Sequence, residues 1–299
     1  MTKMYVESTD LTAVANAIRT KGGTSSPLVF PAGFSQAIAD IPSGGGGAEI
    51  TSLAHLFYNG ARIDAMDDIL TQVKDPTGTA DYCFYQLQTL GSYNIDLSAI
   101  DGSGLTSMQS TFEQDAYGSA QIQSVKLPQK LFSVGSLSQC FNNCKYLTSV
   151  TFPLGTGKDK SSQNYKYLCN NCQRLQVADV SGCLSPSSSG QNNNMFSSCS
   201  ALKKVAFFAD RSNGTYIISG WELTGCNALE ELVIPGSVVA SLGTSWQNCT
   251  PLSGKTAKIY VPDSLVSAYK SATNWSTYAD IIHGFSDHSD PWWASYQAA

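Results

Sequence analysis

The chain has 299 residues, enough for one large domain or two ordinary ones. Only 14% of the residues are charged, the net charge is −5 and the isoelectric point is near 5.1, which argues against a nucleic-acid-binding protein with a basic face. No stretch approaches about 18 consecutive apolar residues, and the first residues lack the apolar core of a secretory signal, so we expect neither membrane insertion nor export by the general route.

Residues 1–42 are predicted to form a small helical hairpin. Apolar residues recur at helical spacing in two runs, Leu11, Val14 and Ile18, then Phe34, Ile38 and Ile41. Because so small a hairpin buries little surface by itself, we expect these residues to anchor the chain to another protein. Residues 43–49, which begin with SGGGG, are predicted to be a flexible linker.

This N-terminal stretch resembles a known module. The residues LTAVANAIRTKGG, followed by FPAGFSQAIADI, are similar to an N-terminal module of structural proteins in tailed phages and prophages of Gram-positive bacteria. The resemblance implies that the module attaches the chain to other virion proteins.

A repeated template occupies residues 50–262. It is clearest in FNNCKYLTSVTF, CNNCQRLQVADV, FSSCSALKKVAF and LTGCNALEELVI, which begin at Phe141, Cys169, Phe196 and Leu223. Weaker matches on both sides extend it to about eight units of ~28 residues. The alternating apolar pair at the end of the template predicts a short strand, and the apolar residues at every third position before it predict a short helix or 3₁₀ segment. We expect the strands of successive units to pair in parallel.

One slot of the template is filled by Cys144, Cys172, Cys199, Cys226 and Cys249, which we interpret as a structural ladder of buried thiols. The slot holds Asp, Leu or Gly in the outer units, which a metal site would not permit. A zinc site at Cys169 and Cys172 lacks a second Cys/His pair, and a redox pair lacks its βαβ context. We therefore predict no metal site, no cofactor and no catalytic cysteine.

Residues 263–299 are predicted to cap the repeats. Asp263 or Ser264 is expected to begin a helix that carries the apolar side chains of Leu265, Val266, Tyr269 and Trp275. The helix would cover the apolar edge of the last unit. The tail after it holds Trp292 and Trp293, which either contact a partner or fold back on the repeats, and the sequence leaves both open.

The template resembles the BspA-like leucine-rich repeat family, whose units read roughly as apolar-x-x-C-x-x-L-x-x-V-x-I-P. NNCKYLTSVTFP and TGCNALEELVIP carry the resemblance, and residues 258–285 resemble the closing segment of such repeats in Gram-positive bacterial and phage proteins. The resemblance implies an α/β leucine-rich-repeat solenoid with a parallel sheet, preceded by the helical hairpin and followed by a capping helix. It also implies adhesion or ligand binding.

The sequence contains no catalytic constellation. The three histidines do not stand at ligand spacing, and the acid pairs Asp67-Asp68 and Glu230-Glu231 are expected to be solvated. The loops are rich in Tyr, Asn, Gln and Ser, which suits polar ligands such as glycans, although the same composition also keeps a charge-poor surface soluble. The residues expected on a ligand or partner surface are Tyr165, Tyr167, Tyr216, Trp292 and Trp293.

These patterns and resemblances predict a non-enzymatic structural protein of a tailed-phage virion. We expect it at the tail fibre or baseplate, assembled in the host cytoplasm, with the repeats binding a host cell-surface glycan or protein. No nucleic acid is expected as a partner, and association of several copies is left open. A capsid decoration protein and a bacterial surface adhesin of the same repeat family are the alternatives.

Overall fold

The computed structural model describes residues 49–60, 65–87, 91–114, 120–186, 191–208, 217–244, 246 and 248–293. The backbone divides into two compact units, Met1–Glu49 and Ile50–Ala299. Apart from Glu49, the described residues belong to the second unit. The predicted anchoring residues Leu11, Val14, Ile18, Phe34, Ile38 and Ile41 lie outside them.

Twelve short strands occur in the described residues: β1 Gly78–Thr79, β2 Gly91–Asp96, β3 Leu105–Ser107, β4 Ala120–Lys126, β5 Ser149–Thr151, β6 Val177–Asp179, β7 Lys204–Ala206, β8 Ile217–Ile218, β9 Glu231–Val233, β10 Ser241–Leu242, β11 Lys258–Val261 and β12 Ile282–Gly284. Six of them form the main parallel sheet, in the order β12-β11-β9-β7-β6-β5. Shorter parallel pairs join β2 to β4, β1 to β3, and β8 to β10.

The alternating apolar residues of the template explain the main sheet. Successive side chains of a strand point to opposite faces, so one residue of each strand faces the core and its neighbours face outward. The inward residues lie in register and are buried: Val150, Ala178, Val205, Leu232, Ile259 and Ile282. The prediction of a parallel sheet built from the repeats is confirmed.

The segments between the strands do not form the regular short helices that were one of the two predictions, although their bonds within a unit span three residues, as in a 3₁₀ segment. They are mostly series of tight turns in which the amide groups point alternately within the unit and to the next unit. Thus Cys140 N donates to Leu137 O at 3.1 Å, whereas Phe141 N donates to Leu168 O at 2.8 Å. Gln139 and Asn143 take left-handed backbone conformations, with φ of 58° and 60°, which interrupt any helix.

Helices are few and short in the described residues. They are α1 Met66–Leu70, α2 Thr250–Ser253 and α3 Val266–Ser271, with 3₁₀ segments at Tyr58–Gly60, Asp263–Leu265, Trp275–Ile281 and Phe285–Asp287. No helix in these ranges is both long enough and apolar enough to cross a membrane.

The end of the repeat region contains a shorter helix than predicted and an additional strand. Val266 and Tyr269 lie on α3, whereas Leu265 and Trp275 lie in the 3₁₀ segments on either side of it. Asp263 does not cap α3; its carboxylate instead accepts hydrogen bonds from the backbone and hydroxyl of Ser286, at 3.2 and 2.6 Å. After α3 the chain pairs β12 with β11 and so extends the sheet by one strand. The indole of Trp275 is buried at this end and donates to Ala240 O at 2.7 Å.

A column of phenylalanines runs through the core of the earlier units. Consecutive rings of Phe57, Phe84, Phe112 and Phe141 stack with centroids 5.0, 5.2 and 4.9 Å apart and interplanar angles of 13°, 6° and 5°. All four are buried. Because the spacing matches the distance between paired strands, about 4.8 Å, the rings keep the same register as the backbone bonds between units.

Candidate ligand-binding surface

The five predicted ladder cysteines lie buried in the interior of the unit. Each Sγ lies near a backbone carbonyl oxygen of the preceding unit, at 3.0 Å for Cys144 and Phe112, 3.0 Å for Cys172 and Phe141, 2.9 Å for Cys199 and Cys169, 3.1 Å for Cys226 and Phe196, and 3.6 Å for Cys249 and Cys226. The thiols add a weak hydrogen bond to these carbonyl oxygens, most of which also accept one from a backbone amide or from the side chain of Gln114.

Burial also determines the reactivity of these thiols. It raises the pKa of Cys249 to about 11 and raises the pKa values of Cys172, Cys199 and Cys226 well above the ordinary value. A thiol that remains protonated is neither a good nucleophile nor a metal ligand. Across the described ranges, no three or more His, Cys, Asp and Glu side chains are grouped to hold a metal ion.

The prediction that Tyr165 lies on a ligand surface is wrong. Its side chain is 1% exposed, its hydroxyl donates to Leu184 O at 2.8 Å, and its ring packs on Phe208 at 4.6 Å. The reason is its place in the repeat, because it occupies the inward position that Leu137 holds one unit earlier. Tyr167 is half-buried, with Lys166 Nζ 5.3 Å from its ring centre, and Tyr216 lies outside the described residues.

The C-terminal tail, residues 285–293, folds back on the outward face of the sheet. Trp293 is fully buried against the outward residues of β7, β9 and β11, which are Ala206, Val233 and Tyr260. Of the two alternatives left open for the tail, Trp293 takes the second and folds back on the repeats, so its place on a partner surface is wrong; Trp292 beside it is half-buried. The tail can dock here because these three outward residues are apolar, whereas β5 presents Ser149 and Thr151 to solvent.

Glu231 holds the tail in place. Its Oε2 accepts a hydrogen bond from Trp292 Nε1 at 2.8 Å and lies 3.1 Å from His288 Nε2 and 3.4 Å from Lys204 Nζ. Asp290 N donates to His288 Nδ1 at 3.2 Å, which assigns the proton of a neutral ring to Nε2. Burial acts to raise the pKa of Glu231, but the hydrogen bonds from His288 and Trp292 and the charge of Lys204 together hold it below the ordinary value.

A groove of about 420 Å³ adjoins the docked tail and is bordered by the predicted acid pair, Glu230 and Glu231. Each carboxylate has a lysine partner from the preceding unit. Glu230 lies 3.2 Å from Lys203, and Glu231 lies near Lys204 as described above. The two glutamates therefore form ion pairs that link neighbouring units, an arrangement typical of a partly solvated surface.

On β2 and β4 the exposed face is polar, and its side chains bond to each other. Ser124 Oγ donates to Asn94 Oδ1 at 2.6 Å, and Lys126 Nζ lies 2.7 Å from Asp96 Oδ2. The bond from Lys126, together with bonds from Ser98, lowers the pKa of Asp96 and keeps it ionised. Cross-strand pairs of this kind satisfy the polar groups of the sheet without a ligand.

The turn segments of the first two described units carry a different feature. The rings of His55, Tyr58, Tyr82 and Tyr85 form a cluster that we call the ring quartet. His55 stacks on Tyr82 at 5.2 Å and Tyr58 on Tyr85 at 5.3 Å, while the two rings within each unit are inclined by 49° and 78°. His55 and Tyr58 are exposed, and Tyr82 and Tyr85 are half-buried.

Polar side chains surround the ring quartet. Gln86 Nε2 donates to the hydroxyl of Tyr85 at 2.9 Å, and Gln109 Nε2 lies 3.4 Å from the hydroxyl of Tyr82. Burial, and then the charge of Glu113, raise the pKa of Tyr85, so its hydroxyl is neutral. Glu113 also accepts a hydrogen bond from Asn142 Nδ2 at 2.8 Å, and Asn142 in turn accepts one from Asn170 at 2.9 Å.

Charge is unevenly distributed along the repeat region. The described residues from 49 to 114 carry eight carboxylates and one lysine, whereas those from 120 to 208 carry nine basic and two acidic side chains. The overall charge of −5 conceals this separation. The ring quartet lies in the acidic part, where the local field repels anionic polymers.

Comparison with known protein families identifies the type of repeat in part of the chain. Residues 110–253 match the family model of the BspA type leucine rich repeat region, in six copies. Repeats of this type are commonly related to adhesion. No curated protein matched the chain.

Proposed function

We propose that the chain is a non-enzymatic structural protein of a phage virion, whose repeat region binds a glycan or protein on the host cell surface. The observation that carries the proposal is the BspA-type repeat region itself, because such repeats commonly serve adhesion. The interior supports it as well, since the ladder thiols are buried and protonated and the acid pair is bound to lysines. We propose that the repeat units stack into a solenoid. Its outer surface would then carry the binding function.

The virion part of the proposal rests on residues 1–49. Their resemblance to a module of tailed-phage structural proteins, followed by a Gly-rich linker, supports attachment to other virion proteins at the tail fibre or baseplate. Assembly in the host cytoplasm and release by lysis would keep the nine cysteines reduced.

Immunogold electron microscopy tests this proposal. Antibody against the repeat region is applied to an induced lysate of the strain that encodes the protein, with a strain lacking the gene as the control. Label at the tail tip is the expected result. Label on the capsid would keep the virion role but make the protein a decoration protein, and label only on the cell envelope would refute the virion role in favour of a bacterial adhesin.

A further inference from the structure

The ring quartet is an exposed aromatic surface in a region whose described residues bury most of their large apolar side chains. In the described residues, the large hydrophobic side chains with substantial exposure are Tyr58 at 37%, Leu154 at 44% and Trp221 at 48%. Only Tyr58 belongs to a cluster in which four rings contact one another across two units. Aromatic side chains gathered on a surface are typical of binding sites, because they combine a large contact area with few rotatable bonds.

The neighbours of the quartet restrict the chemistry of its ligand. The phenol hydroxyls and the amides of Asn59, Gln86 and Gln109 donate and accept hydrogen bonds without net charge. Because the two rings of each unit are inclined to each other, the cluster presents ring faces as well as edges. A ring face is slightly negative and attracts the weakly positive C–H groups of a sugar ring, while the amides match its hydroxyls.

The local charge excludes another class of ligand. Eight carboxylates against one lysine in the described residues 49–114 disfavour nucleic acid and acidic polysaccharides. A neutral, hydroxyl-rich polysaccharide is not repelled by these carboxylates.

We propose that the ring quartet and the amides beside it bind a neutral glycan. This rests on the proposed function and specifies its ligand class and location. Two other surfaces are occupied by the chain itself. The tail covers β7, β9 and β11, and the polar side chains of β2 and β4 bond to each other.

Affinity electrophoresis in native gels that contain glycol chitin or hydroxyethyl cellulose tests the proposal, since both are soluble, uncharged polysaccharides. The full chain should be retarded by at least one of them, to the same extent at low and high salt. Tyr58→Ala should weaken the interaction at least tenfold, which corresponds to about 1.4 kcal/mol, and Tyr58→Phe should retain most of it. Trp221→Ala, which removes an even more exposed ring from a later unit, is the matched control and should not change retardation.

Thermal unfolding of each variant should remain close to that of the wild type, because Tyr58 and Trp221 are surface side chains. Failure of both polymers to retard the wild type, or equal loss in Tyr58→Ala and Trp221→Ala, would overturn the proposal. A cell-binding assay distinguishes failure of the glycan site from failure of the proposed function. If wild type and Tyr58→Ala bind cells of the encoding strain equally, the glycan site is wrong and the adhesive role stands, whereas no binding by the wild type would refute the adhesive role itself.

Discussion

Replacement of Trp293 by alanine should release the C-terminal tail as a unit. The indole is fully buried against Ala206, Val233 and Tyr260, and a buried aromatic side chain of this size covers about 150–250 Å². At about 25 cal/mol per Å², its burial stabilises the docked tail by at most about 4–6 kcal/mol. Ordering the backbone of the tail opposes docking, so loss of this contribution should release the tail.

The same reasoning makes Trp293→Ala and Glu231→Gln non-additive. Glu231→Gln removes a charged acceptor shared by Trp292, His288 and Lys204, worth about 1.5–3 kcal/mol. If the tail detaches as one unit, the double variant should lose little more unfolding free energy than Trp293→Ala alone, namely the contribution of the ion pair with Lys204, which lies in the sheet and not in the tail.

Urea unfolding measures this non-additivity, and hydrogen exchange followed by mass spectrometry should show faster exchange in the tail and unchanged exchange in β5. Strictly additive losses, or slow exchange of the tail in Trp293→Ala, would refute the single-unit account.

Four further predictions follow from the interior and the surface. A water-soluble thiol reagent should leave the nine cysteines of the native protein unmodified and label them only on unfolding, because the structure buries all of them; rapid labelling of the native protein would contradict this. Asn142→Asp should lower the unfolding free energy by about 1.5–3 kcal/mol, since it replaces the amide that donates to Glu113 by a like charge; adding Glu113→Gln should restore most of the loss in urea titrations. Burial raises the pKa of Glu222, so the folded protein binds this proton more tightly than the unfolded chain, and stability should fall as pH rises above 4.5; Glu222→Gln should flatten that part of a Tm-against-pH profile. The pKa of Glu231 is lowered, so its contribution is present above 4.5 and should be lost as pH falls below that value, which faster tail exchange in acid would report.

The strands and the buried slots of the repeat could be predicted from the sequence because they depend on local periodicity. Val150 and Phe152 alternate with polar residues, and Leu147 and Cys144 precede them at fixed spacing, so each unit carries the same pattern of burial. The turns could not be predicted in this way. Apolar residues at every third position suit a helix as well, and the choice between the two is made by backbone bonds to the next unit, such as that from Phe141 to Leu168.

The sequence left the position of the tail open between two alternatives, and the ring quartet was missed. The docking site of Trp293 combines single residues from three strands, Ala206, Val233 and Tyr260. Because these residues are far apart in the sequence, no local pattern predicts that they form one site. The quartet did leave a signal. His55 and Tyr82, like Tyr58 and Tyr85, are 27 residues apart, and each pair recurs at the same position of the repeat. The polar composition of the loops pointed instead to Tyr165, which is buried because it occupies an inward position of the repeat.

The backbone hydrogen bonds between units bear on how the protein would respond to mechanical tension. They run from one unit to the next, both in the sheet and in the turns. A pull applied between the ends of the repeat region therefore loads the contacts between units one after another, and units would peel away singly. Each detached unit of 27 residues would release roughly 90 Å of extended chain. A tether built in this way lengthens in steps under load, and so dissipates a sudden force before the bond at either end breaks.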